Sequence, residues 1–129
     1  MRQLPKISVR GRTPAPWGVK NQWEWRDCLT AQTWSIRSLV DQQQIQETSE
    51  FHVKVVFWMT EPHVKHADLD NLAKPVLDTL FLIRNAQCGD SRTGALFDVD
   101  DNRVFELTAE KRIVPLCEEE GVDVTVAWW

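Results

Sequence analysis

The chain has 129 residues, 43% hydrophobic and 26% charged, with a formal net charge of −4. That length suits one ordinary domain (1–129) and leaves no room for two cores, while the composition excludes a disordered polymer. No apolar run approaches the roughly 18 residues of a membrane span, and the opening MRQLPKISVR lacks the apolar stretch of a secretory signal, so a cytoplasmic protein with no membrane partner is expected. Cys28, Cys88 and Cys117 are odd in number and widely spaced, which predicts free thiols and supports neither a disulfide framework nor a zinc knuckle.

The acidic balance argues mildly against nucleic acid as a partner, but its distribution is uneven. Residues 1–26 carry Arg2, Lys6, Arg10, Arg12, Lys20 and Arg26 against Glu24 alone. A solvated first strand and loop would account for this basic stretch equally well.

Ile7 and Val9 alternate with polar residues and predict a strand near 4–11, ended by Gly11, Pro14, Pro16 and Gly18. From about Gln22 to Gln46, Trp25, Cys28, Leu29, Ile36, Leu39 and Val40 recur on one helical face. Phe51, Val53, Val55, Phe57 and Met59 form the apolar face of a second strand, stopped by Glu61-Pro62. A second helix is expected from Asn71 to Arg84, with Leu72, Val76, Leu80 and Ile83 as its stripe. Pro75 is tolerable only in its first turn, which places the helix start close to Asp70 or Asn71. Residues 85–99 read as a long loop. Phe105, Leu107 and Ala109 mark a third strand, Glu118 to Gly121 a turn, and Val122, Val124, Val126 and Trp128 a closing strand. The order β-α-β-α-β-β predicts an α/β fold, a single mixed-sheet domain with a C-terminal hairpin.

The stretch His66-Ala67-Asp68-Leu69-Asp70-Asn71-Leu72-Ala73-Lys74-Pro75-Val76-Leu77-Asp78 carries most of the chemical information. Alternation in the chain entering the helix points Asp68 and Asp70 the same way. Carboxylates held together repel, and a bound cation relieves that repulsion. Oxygen ligands alone suit Mg²⁺ or Mn²⁺ and not zinc. The plainer alternative is a pair of helix-capping acids with a surface ladder of Asp70, Lys74 and Asp78, and for Asp78 the plainer account is preferred. A second acidic cluster, Asp98-Val99-Asp100-Asp101-Asn102-Arg103-Val104, weakens that alternative for Asp68 and Asp70. It is not a calcium loop. Arg103 stands where Gly is needed, Ala109 where the bidentate Glu is needed, and a strand follows where a helix should.

Asp68-x-Asp70-Asn71, Lys74, Asp78-Thr79-Leu80 and then Val99-Asp100-Asp101-Asn102-Arg103-Val104 resemble the pattern of the RusA family of Holliday junction resolvases, over about residues 66–111. The resemblance implies a RusA-like fold, Asp68, Asp70 and Asp101 as catalytic metal ligands, and Lys74 as the essential basic residue. It further implies Mg²⁺ as cofactor with Mn²⁺ able to substitute, branched four-way DNA as substrate, and a homodimer in a bacterial or phage-infected cell. The loop before Asp100-Asp101 is longer than the family's, and Ala67 stands where a basic residue can precede the motif. Arg10, Arg12 and Lys20 are the expected contacts to the DNA backbone. Two other functions stay open: a catalytically silent nucleic-acid-binding or assembly module of phage origin, and a carboxylate nuclease for flaps or RNA.

Elsewhere, His52, His63 and His66 lack paired metal-ligand spacing; a phosphate contact suits only His66. No Gly-rich phosphate loop or GxSxG is present. The seven Trp residues are expected in the core or a dimer interface, the latter for Trp128 and Trp129.

Overall fold

The computed structural model describes residues 1–43, 45–46, 48–81, 83–85, 90–92 and 94–129. Among these residues, seven strands and three helices follow in chain order: β1 (Arg2–Gln3), β2 (Ile7–Arg10), α1 (Gln22–Asp41), β3 (Phe51–Met59), α2 (Glu61–Val64), α3 (Leu69–Leu80), β4 (Ile83–Asn85), β5 (Asp90–Arg92), β6 (Val104–Ile113) and β7 (Gly121–Trp128). Short 3-10 turns at Asp101–Arg103 and Cys117–Glu119 lead into β6 and β7.

The main sheet has five strands in the order β1-β7-β3-β6, with β2 also paired to β7. β3 runs parallel to β6 and antiparallel to β7. Alternation in β3 and β7 buries one face, where Phe51, Val53, Val55, Phe57, Met59, Val122, Val124 and Val126 join the apolar stripes of α1 and α3. The other face, with His52, Lys54 and Trp58 of β3, stays partly open. Each large side chain sealed in this core contributes roughly 1.5–3 kcal/mol over leaving it in water. A mixed α/β single-layer sheet under helices therefore agrees with the class expected. The expected strand order lacked β1 and the β4–β5 pair, and the expected C-terminal hairpin does not form: β3 lies between β6 and β7, pairing with each.

α1 buries Trp25, Leu29, Thr33, Ile36 and Val40, a 3.6-residue stripe, but it stops at Asp41 and does not run to Gln46. Past Asp41 the helical pattern gives way to a tighter turn in which the Gln43 N–H donates to the Val40 carbonyl. Leu39, expected in the stripe, is exposed.

α3 begins at Leu69, so Pro75 lies in the second turn and not the first. Proline has no N–H and would leave the carbonyl four residues back, that of Asn71, without its helical donor. The loop after β2 supplies one: the Trp17 N–H donates to the Asn71 oxygen at 2.8 Å. The helix ends at Leu80, four residues before Arg84, and Ile83 falls in β4. Phe81 leaves the helix to meet Phe51 edge-on, ring centroids 5.2 Å apart, and to stack on Phe97 at 4.9 Å. Ile83–Asn85 pairs antiparallel with Asp90–Arg92, so part of the expected 85–99 loop is strand, while its residues 86–89 and 93 lie outside the described residues.

Cys28 and Cys117 are free thiols, and Cys88 lies outside the described residues. Among the described residues no helix is long and apolar enough to cross a membrane. Trp128 is 4% exposed and belongs to the core, contrary to its expected place at an interface. Its ring packs near Phe51 and Phe97, while Trp129 alone projects outward.

Candidate active site

The two acidic segments meet because of how α3 ends. The last turn of a helix leaves carbonyls without intrahelical donors. Here Ala95 N–H donates to Thr79 O at 2.8 Å, and Leu96 and Phe97 N–H donate to Leu80 O at 3.3 and 3.0 Å. Gly94 enters this contact so closely that a Cβ would overlap the Leu80 and Phe97 carbonyl oxygens. From α1, Arg37 ties the same segment down through Gly94 O at 3.1 Å and the Asp98 carboxylate at 3.3 Å. The chain from Asp98 to Asp101 is thus laid against the end of α3.

Asp70, Lys74 and Asp78 are spaced four apart and share one helical face. Lys74 Nζ lies 3.7 Å from Asp78 Oδ2, and the Asp78 side chain is only 15% exposed. The expected ladder is present at its Lys74–Asp78 rung, but Asp78 is more sheltered than a surface ladder implies. Asp101 is half-buried, next to Asp100 and within electrostatic reach of Asp78 and Lys74. Burial pushes its carboxyl up to about 6, helped by a hydrogen bond with Asp100 and by repulsion from Asp100 and Asp78, with Lys74 pulling the other way. Asp100 Oδ1 accepts from Asn102 N–H at 2.9 Å and so caps the turn that presents Asp101.

Asp68 occupies the N-cap position of α3, yet its carboxylate makes no capping hydrogen bond. An Asp there normally accepts from the second or third helical N–H. Asp68 and Asp70 are both exposed. Lys111 of β6 fixes the chain leading to them, its ammonium donating to Val64 O at 3.1 Å and Ala67 O at 2.7 Å. Among the described residues no three His, Cys, Asp or Glu side chains are arranged to hold a metal ion. Asp101 is brought to Lys74 and Asp78, whereas Asp68 and Asp70 sit at the start of the same helix and do not figure among the groups that perturb Asp101. The donor type alone suits a hard cation: all are oxygens, with Asp68 and Asp70 exposed and unbonded among the described residues and Asp101 crowded by like charge.

Of the expected DNA contacts, Arg12 and Lys20 are exposed, but Arg10 is held by Asp123 in a fork of 2.9 and 3.0 Å, with its guanidinium over the Trp58 ring. The burial of Asp123 opposes ionisation, and hydrogen bonds from Arg10, Ser8 and Trp58 overcome this to leave its carboxyl below the ordinary range. His52 lies 3.1 Å from Glu106 and packs on Trp129, and His66 is exposed.

Sequence reasoning missed Trp17, Lys111 and Glu120. Trp17 and Lys111 act through backbone carbonyls of distant segments, which leaves no local pattern. Comparison with protein-family models, with curated proteins and with solved structures finds no match to this chain.

Proposed function

We propose that this chain is a Mg²⁺-dependent, structure-selective DNA endonuclease of the RusA kind, cutting four-way junctions. The observation that carries this is the capping position of α3, where Asp68 stands without capping. A carboxylate placed for helix capping and left unengaged is available to a cation, next to Asp70 and on the helix that bears Lys74. The crowded Asp101 at the other end supports the same assignment.

Asp68, Asp70 and Asp101 would hold the ion. Bound Mg²⁺ supplies Lewis-acid activation of water and neutralises charge on a phosphodiester. Lys74 presents a compact ammonium to a phosphate oxygen, where a preorganised charge favours the transition state. Asp78 holds that ammonium in place. Arg12 and Lys20 give the DNA backbone fixed positive charge without reading sequence.

A two-fold junction needs paired nicks, which a symmetric dimer delivers. β6 supports this assembly: it is an edge strand of ten residues with Phe105, Leu107 and Ile113 exposed. A catalytically silent DNA-binding module is favoured by one observation, the acids' not being gathered into a metal-holding group among the described residues. One gel separates the two functions: a synthetic four-way junction incubated with wild type and Asp70→Asn, with and without Mg²⁺. Paired symmetric nicks from wild type with Mg²⁺ alone are expected. Binding with no cleavage at any metal concentration would leave the silent module.

A further inference from the structure

Two indoles stand open beside the Lys74 face of α3. Trp17 is 53% exposed and Trp23 47%. Large aromatic side chains gain most from burial, so the half-exposed indole of Trp17 beside the Lys74 face is placed to receive a partner. Neither is loosely held. Trp17 is pinned by its backbone to the Asn71 carbonyl that Pro75 leaves unpaired, and its ring has Lys74 Nζ at 5.8 Å from the centroid. Trp23 has the Arg26 guanidinium over its ring at 4.7 Å. Arg26 in turn donates to Thr79 Oγ1 and Asp78 O, both at 3.0 Å, so this plate too is tied to α3. A cleft of about 160 Å³ runs between Trp23 and Asp78.

An exposed aromatic plate beside a fixed cation is the chemistry that receives an unpaired nucleotide: the ring stacks on the base and the cation takes the phosphate. Positive charge lies near Trp17, with Lys74 over its ring and Arg12 and Lys20 exposed on the same loop, while Asp27 and Asp78 line the cleft beside Trp23. An acidic apolar peptide would suit the plates less well, because it offers no flat face to stack.

We propose that Trp17 is a substrate-positioning residue whose indole stacks on an unstacked base at the branch point and sets the adjoining phosphodiester against Lys74, with Trp23 as a second platform. This rests on the nucleic-acid function proposed above and names the residue that selects branched DNA over continuous duplex. In continuous duplex every base face is covered by its neighbours, whereas an open junction interrupts stacking at its centre and leaves faces for Trp17.

The test uses four-way junctions carrying 2-aminopurine at single positions around the branch, with Ca²⁺ replacing Mg²⁺ to keep strands intact. Wild type should quench the emission at one or two positions. Trp17→Leu removes the ring but keeps the backbone N–H that binds Asn71. It should lose the quench and weaken junction binding by about 5- to 100-fold. Trp17→Phe should restore much of both, and Trp34→Leu, on an indole 75% exposed in mid-α1, should change neither. Binding by wild type without quench at any position, or a quench that survives Trp17→Leu, overturns the stacking role and leaves the endonuclease standing. No binding of wild type to any junction at low salt overturns both.

Discussion

The His63 imidazole Nδ1 lies 2.7 Å from a carboxylate oxygen of Glu120, a side chain 1% exposed in the midst of the run Glu118-Glu119-Glu120. Thr60 N–H and Thr13 Oγ1 also donate to this carboxylate, at 2.9 and 2.8 Å, while Gly11 and Arg12 N–H donate to the Glu120 backbone oxygen. One residue thereby ties the basic loop, the start of α2 and the start of β7 together.

That knot makes stability depend on pH. Burial alone would raise the Glu120 carboxyl, but the bonds from His63, Thr60 and Thr13 prevail and hold it below 4.5. A depressed carboxyl adds stability above its unfolded value and loses it as the pH falls through the folded one. Glu120→Gln should cost on the order of 1–3 kcal/mol at pH 7, since it leaves donors facing an amide. The gap to wild type should narrow steadily below pH 4.5. Urea denaturation of both proteins at neutral and acid pH measures it, and a gap of constant size would show that the charge does not matter.

Pro75→Ala supplies an N–H at position 75 that competes with Trp17 for the Asn71 carbonyl. The helix gains what an interior proline costs, about 3 kcal/mol at most, partly offset by the volume lost at a buried site. The loop from Gly11 to Asn21 loses an anchor. Limited trypsin digestion should cut several-fold faster at Arg12 and Lys20 in the variant, with the melting temperature held or raised. Unchanged digestion would mean that Trp17 is anchored by other contacts.

Asp101 contributes with the opposite sign. Its carboxyl is raised, so the folded state binds the proton more tightly and this group's contribution falls as the pH climbs from 3.8 to about 6. Asp101→Asn should stabilise the metal-free protein by roughly 1 kcal/mol at pH 7.5 after solvent screening, and little at pH 4. It should also abolish the cleavage and the rise in melting temperature expected of wild type with Mg²⁺. Calorimetry at both pH values, with and without Mg²⁺, decides the matter. A variant less stable than wild type at pH 7.5 would assign Asp101 a structural bond in place of a site.

Lys74 separates an enzyme from a decorated helix. As half of a surface pair with Asp78 it is worth only about 0.3–0.5 kcal/mol. As a charge on the scissile phosphate, its loss slows the reaction on the order of 10²-fold or more. Single-turnover cleavage by Lys74→Ala and Lys74→Arg should fall by that factor for Ala and recover poorly for Arg, whose planar fork replaces a compact ammonium. Equal rates in all three proteins would remove Lys74 from the mechanism.

What was legible in the sequence was local. Trp25, Leu29, Ile36 and Val40 mark the buried stripe of α1, and alternation marks β3, because each pattern is written within a few residues. Element ends were less legible. Phe81 continues the apolar pattern of α3, and only Phe51 and Phe97, far away in the chain, draw it out of the helix. Pro75 sits deeper than expected because Trp17 lends it a donor from 54 residues upstream of the Asn71 carbonyl. In the site, Asp68 and Asp70 were expected side by side in extended chain before the helix, but α3 starts at Leu69, so Asp70 lies in its first turn and that alternation does not apply; Asp78 is more sheltered than a surface ladder implies. Glu120 reads as solvated among three glutamates, and its partners Thr13, Thr60 and His63 carry no local signal.

The parallel seam between β3 and β6, from Phe51 beside Val104 to Met59 beside Ile113, has a kinetic consequence. Asp68, Asp70, Lys74, Asp78 and Asp101 all lie on the chain that joins those two strands. Closing so long a connection is entropically slow, and parallel pairing forms only after the closure. Until then the acids are scattered along an unanchored loop, so a cation has no assembled site to recruit and cannot template the fold. Once the seam is shut, the same ion would bridge segments that must part for the protein to unfold. Mg²⁺ should therefore leave the folding rate unchanged and slow unfolding, acting as a latch on the finished molecule.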